Sequence, residues 1–133
     1  MGRGFFSVES LGGVFALVVD TDKDRRNLVA GILRYCGALV APVETPQAAS
    51  AIMRLLKPDV VVVDVSDPDD GAFEFIHALR TLPPDEGGTV ATIALGAAER
   101  SDERARAYGF DAHLGRPLDA WRLCELVSDL LAR

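Results

Sequence analysis

Apolar runs recur along the chain at regular intervals: VFALVVD (Val14–Asp20), ALVAPVE (Ala38–Glu44), DVVVVD (Asp59–Asp64) and TVATIALG (Thr89–Gly96). A weaker one, DAHLG, covers Asp111–Gly115. The first and third are almost unbroken Val and Leu with no polar alternation, as expected for strands covered on both faces. Helical patterns fill the gaps. From Asp22 to Cys36 the spacing puts Leu28, Val29, Ile32, Leu33 and Cys36 on one stripe, with Gly37 as the stop. Thr45-Pro46 reads as an N-cap and first-turn proline, opening a helix that ends near Lys57-Pro58. Ala72 to Leu82 carries Phe73, Ile76 and Leu79, and stops at Pro83-Pro84. Ser101 caps a short helix that ends at Tyr108-Gly109, and Asp119 caps a last one with Leu123, Leu126, Val127 and Leu130 inward. Strand and helix alternate five times, which predicts an open parallel sheet with helices on both faces.

The totals narrow this little further. The 133 residues suit one core, and at 49% hydrophobic the chain is a globular one. Residues 1–13 read as a linker or fragment boundary and 14–133 as one domain. No run is long enough for a membrane span, and MGRGFFSVESLGG lacks the centre and cleavage site of a signal peptide, so a cytoplasmic location is expected. A net charge of −6 without a basic cluster argues against nucleic acid as a direct partner. Cys36 and Cys124 lack metal-ligand neighbours and read as small, reduced side chains.

The chemistry concentrates where the first and third strands end. Asp20 and Asp64 both stand at the carboxyl edge, where open parallel sheets bind ligands. If the two strands are neighbours, the carboxylates approach each other, and a hard cation such as Mg²⁺ is one way to offset their repulsion. A carboxylate so placed is a nucleophile towards phosphorus, with a fixed cation to offset the transferring charge. Arg116, followed by Pro117, which holds it extended, is that candidate cation beyond the fifth strand. The bland alternative is that both aspartates only begin loops.

On these residues the chain resembles the receiver domain of two-component response regulators, most of all the C-terminal receivers of hybrid sensor histidine kinases. ALVVDTD resembles the family's first-strand acidic motif, and PDVVVVDVSDPDDG its phosphoacceptor segment. LPPDEGG and GFDAHLGRP resemble the hybrid-kinase type, and the likeness runs from Val14 to Leu131. It implies a flavodoxin-like, doubly wound, five-stranded parallel sheet in the order 2-1-3-4-5. It also implies phosphorylation on Asp64, with Mg²⁺ held by Asp20, Asp64, the Ser66 carbonyl and either Thr21 or Asp22. The partner would be a histidine kinase or phosphotransfer protein. A homodimer would form through the fourth helix, fifth strand and fifth helix, with Trp121, Arg122 and Glu125 on that face. Beyond self-phosphorylation and autodephosphorylation, no enzyme activity is implied.

The chain departs from the family pattern in several places. Thr21 replaces the second acid and is a poorer metal ligand, and Asp22 is either its substitute or a helix N-cap. Gly96 stands where the family has a switch Ser or Thr, Arg116 where it has a lysine, and His113 at the switch aromatic. The loop after Asp64 is about one residue short and the fourth-helix region about two. These departures keep open a degenerate receiver that works by protein contact without phosphorylation. A haloacid-dehalogenase-like phosphatase with Asp20 as nucleophile and Asp22 as acid is the remote alternative, although Lys23-Asp24 follows where that family has small or β-branched residues. No glycine-rich phosphate loop follows the first strand, which argues against a nucleotide binder.

Overall fold

A computed structural model describes residues 10–67, 71–96 and 101–132. The elements are β1 (Phe15–Val19), α1 (Lys23–Tyr35), β2 (Leu39–Val43), α2 (Pro46–Leu56), β3 (Val60–Asp64), α3 (Ala72–Leu79), β4 (Ala91–Leu95), α4 (Ser101–Tyr108), β5 (Ala112–Leu114) and α5 (Ala120–Leu131). The strands form one parallel sheet in the order β2-β1-β3-β4-β5, as expected.

Side-chain alternation along the central strands divides the core in two. Ala16, Val18, Val60, Val62, Ile93 and Leu95 face one layer, with Val29 and Leu33 of α1 and Leu123 and Val127 of α5. Leu17, Val19, Val61, Val63 and Ala94 face the other, with Met53 of α2, Phe73 and Ile76 of α3 and Ala105 of α4. Every residue of β3 is buried, which is why its sequence is Val without alternation.

The helix signals act as read. Thr45 accepts the Ala48 N–H, and Asp119 that of Arg122. Three readings need correction. The helix expected to run from Ala72 to Leu82 ends at Leu79, with Arg80 as its C-cap. Leu28, expected on the buried stripe of α1, is 57% exposed, and Ala30 is buried in its place. The inward arc of α1 is narrow, so Leu28 falls outside it. Leu11, inside the stretch read as linker, is buried in the core and donates its N–H to the Cys36 carbonyl, so packing reaches back at least to this turn. The side chain of Ser101, read as a helix cap, and both shortened loops lie wholly or partly outside the described residues.

Cys36 and Cys124 are buried in the α1–α5 layer, where the Cys124 thiol reaches the Ile32 carbonyl at 3.8 Å. Burial, and then the neighbouring Cys36, push the Cys124 pKa up, so its reactive thiolate is suppressed. Neither thiol is expected to react with iodoacetamide at mildly alkaline pH until denaturant is added. Full labelling of the folded chain would contradict this packing.

Candidate functional site

The register of the sheet assembles the site. β1 pairs with β3, Val19 opposite Val63, so Asp20 and Asp64 leave adjacent strands side by side at the carboxyl edge. Strand order reverses at this pair, as the sequence pattern leads one to expect. β4 and β5 pair Leu95 with Leu114, which brings Gly96 and Arg116 up beside Asp64.

Both carboxylates are withdrawn from water, with Asp20 3% and Asp64 5% exposed. Asp64 Oδ1 accepts the Ser66 N–H at 2.9 Å, and Oδ2 accepts from Arg116 Nη2. The Arg116–Pro117 peptide bond is cis.

The other cation here was not singled out from the sequence. Arg25, on the first turn of α1, donates from Nε to Asp20 Oδ2 at 3.1 Å and from Nη2 to Asp20 Oδ1 at 3.0 Å. Its Nε also stands 3.6 Å from Asp64 Oδ2. The bonded Asp20 carboxylate, with Asp64 and Asp22 nearby, pushes the Arg25 pKa above its ordinary value. Arg26 adds a bond from Nη1 to the Asp20 carbonyl at 2.9 Å. The signal that could have found Arg25 is its position. A cation in a helix's first turn opposes the macrodipole and so needs another reason to be there.

Asp22 takes the helix-cap role. Its Oδ1 accepts the Arg25 N–H at 2.9 Å, which holds its carboxyl below the ordinary range, and its own N–H donates to Asp20 Oδ1 at 2.9 Å. Thr21 is exposed. Mg²⁺ needs several oxygens in near-octahedral array, with carboxylates free to turn towards it. Here both Asp20 oxygens are bonded to Arg25, both Asp64 oxygens have donors, and Asp22 is committed to α1. Among the described residues, no three His, Cys, Asp or Glu side chains group as a metal site. The arrangement fits a guanidinium rather than Mg²⁺.

The switch positions are also rebuilt. Gly96 has φ +85°, a conformation that favours glycine, and a Cβ there would overlap the Ser66 hydroxyl. Its N–H donates to the Leu114 carbonyl at 2.9 Å. His113 Nε2 lies 2.6 Å from the Gly96 carbonyl, and a carbonyl only accepts, so Nε2 carries the proton. His113 is thus tied to the backbone of Gly96, where no side chain exists to meet it.

Trp121 is 51% exposed. It lines a groove with Leu28, Ile32 and Tyr35 of α1. The helical period explains this, because Trp121 lies one turn before Cys124, the residue that reaches α1. Arg122 pairs with Glu125 at 3.1 Å. No helix among the described residues is long and apolar enough to cross a membrane.

Comparison with known proteins bears on this arrangement. No family model matches the chain. An uncharacterized 14.6 kDa protein from the sodA1 3′ region of Leptolyngbya boryana is 34% identical over 123 residues, covering 91% of this chain and 92% of that one. A response regulator receiver protein from Anaeromyxobacter sp. strain Fw109-5 is 34% identical over 110 residues, covering 83% of this chain but only 45% of that protein. In three dimensions, the signal receiver domain of a signal transduction histidine kinase from Syntrophus aciditrophicus superposes with a TM-score of 0.79 at 22% identity, over 90% of this chain and 91% of that one.

Proposed function

The chain belongs to the receiver-domain family of response regulators, and we propose that in this member Asp64 accepts a phosphoryl group from a histidine kinase or phosphotransfer protein in the cytoplasm. The observation that carries the reading is a buried Asp64 at the switch point of the sheet, held between Arg116 and Arg25. In the transfer, an Asp64 carboxylate oxygen forms a bond to phosphorus as the P–N bond of the donor phosphohistidine breaks. The electron pair of that bond stays with the imidazole. The chain's part is positional and electrostatic. The Ser66 N–H fixes the carboxylate's rotation through Oδ1, and the guanidiniums flank Oδ2, where charge on the transferring group must be offset.

A receiver that works by protein contact without phosphorylation is the second reading. It is favoured by the pairing already made at Asp64, which leaves no oxygen without a donor, and by the missing side chain at Gly96. The phosphatase alternative loses support, because Asp22, its proposed acid, caps α1 and Asp20, its nucleophile, is bonded to Arg25 through both oxygens.

Intact mass after exposure to acetyl phosphate, with and without Mg²⁺, separates the two receiver readings. One phosphoryl adduct is expected on the native chain and none on Asp64→Asn. A folded native chain that never gains the adduct would leave the contact-only reading standing.

A further inference from the structure

We propose that Arg25 is a resident cation in the place where a divalent metal would be needed, so that the site receives a phosphoryl anion between the guanidiniums of Arg25 and Arg116 with no metal bound. The inference rests on Asp64 as phosphoacceptor and adds to it the charge that makes the transfer possible.

Asp20 and Asp64 have side chains only 2% and 4% exposed, on adjacent strands. Carboxylates so placed repel unless one is protonated or a cation lies with them. The chain itself supplies the cation. Arg25 closes a two-bond fork on Asp20 and keeps its Nε 3.6 Å from Asp64 Oδ2. Two forked bonds hold it there against the macrodipole of α1. A guanidinium does not lose its proton in proteins, so the charge is permanent, and its planar donors suit phosphoryl oxygens as well as carboxylates. Mg²⁺ entering the same space would have to strip Asp20 from Arg25 and then sit beside a like charge.

The neighbouring residues follow the same plan. Thr21 adds no negative charge, and Asp22 is held by the Arg25 backbone in the helix cap. The two buried carboxylates, Asp20 and Asp64, are matched by Arg25 and Arg116, while Asp22, an exposed third acid, has its Oδ2 3.9 Å from Arg25 Nη1.

Mn²⁺ alone, titrated into the full chain and followed by paramagnetic broadening of the amides of residues 20–22 and 64–66, tests the assignment. In the native chain these amides are expected to show no site-specific broadening. In Arg25→Gln, Mn²⁺ is expected to bind at least about tenfold more tightly, and to raise the thermal midpoint, which it leaves unchanged in the native chain. Should Arg25→Gln not fold, Arg25→Lys carries the comparison, because it keeps the charge and loses the fork. Saturable Mn²⁺ binding at Asp20 and Asp64 of the native chain overturns the proposal whatever the variants do.

The phosphoryl arm uses acetyl phosphate in EDTA. The native adduct is expected to form there as fast as in Mg²⁺, and Arg25→Gln is expected to lose this metal-free reaction. An adduct that forms only with Mg²⁺ defeats the resident cation and leaves Asp64 as phosphoacceptor. No adduct under either condition, with Mn²⁺ still excluded, defeats the phosphoacceptor reading and leaves the cation assignment in place.

Discussion

Arg80→Ala is expected to lower the stability of the chain by about 2–4 kcal/mol, read as a fall in the urea midpoint at unchanged slope. Arg80 follows α3 and reaches the amino-terminal ends of β4 and β5. It donates to the carbonyls of Val90 at 2.7 Å, Gly109 at 2.8 Å and Gly88 at 3.1 Å, to Thr92 Oγ1 at 2.8 Å and to Asp111 Oδ2 at 3.0 Å. Thr92 is fully buried, and its N–H donates in turn to Asp111 Oδ2 at 2.8 Å. Removing the guanidinium leaves three carbonyls and a carboxylate short of donors at once. The side chain is 22% exposed, so water recovers part of the loss, which sets the range below that of a fully buried pair. Arg80→Lys is expected to recover less than half, because an ammonium cannot span acceptors on both strands. The network lies at the sheet edge opposite Asp64, so phosphoryl-adduct formation by the folded fraction of Arg80→Ala should match the native chain. A loss below about 1 kcal/mol would mean that the contacts are replaced by water at little cost.

Arg80 and Arg25 mark where reading the sequence ran out. The sheet was legible because each strand carries its own signal: the unbroken Val run of β3 states burial on both faces, and the caps Asp22, Thr45 and Asp119 are set by bonds within a few residues. Asp20, Asp64 and Arg116 were legible because a parallel sheet brings strand ends together at one edge. An arginine has a long reach and no period. Arg80 bonds residues 8 to 31 positions away, and nothing in its neighbours announces the acceptors. Arg25 is near Asp20 in sequence, but its bond to that carboxylate depends on how the loop turns into α1. Two buried carboxylates at one sheet edge state a need for positive charge, and the fork that Arg25 closes on Asp20 is a source of it that the spacing does not announce. Trp121 was legible only in part. Its exposure was legible from the helical period, whereas the neighbour it faces depends on how α5 is laid across the sheet.

Gly96→Ser and Gly96→Thr restore the residue types that the family pattern places here, yet both are expected to destabilise the chain, by about 1–2 kcal/mol for Ser and more for Thr. Two costs compete. At φ +85° any Cβ is strained, and a β-branched one most of all. The new Cβ also overlaps the Ser66 hydroxyl and comes within 3.3 Å of Asp64 Oδ2 and 3.4 Å of Arg116 Nε. Ser66 is exposed and its hydroxyl can turn away, so the overlap is cheap to relieve and the backbone carries most of the cost. The double variant with Ser66→Gly separates the terms, with an expected coupling of at most about 0.5 kcal/mol in urea unfolding. A larger recovery would make the Ser66 contact dominant. The backbone term also bears on switching. The Gly96 N–H is held by Leu114 and its carbonyl by His113, so a hydroxyl added at this φ starts from a clamped loop. It does not inherit the freedom to swing towards Asp64. Phosphoryl-adduct lifetime in Gly96→Ser should therefore stay within about twofold of the native chain. A large change in lifetime would show that a side chain at this position still governs the site.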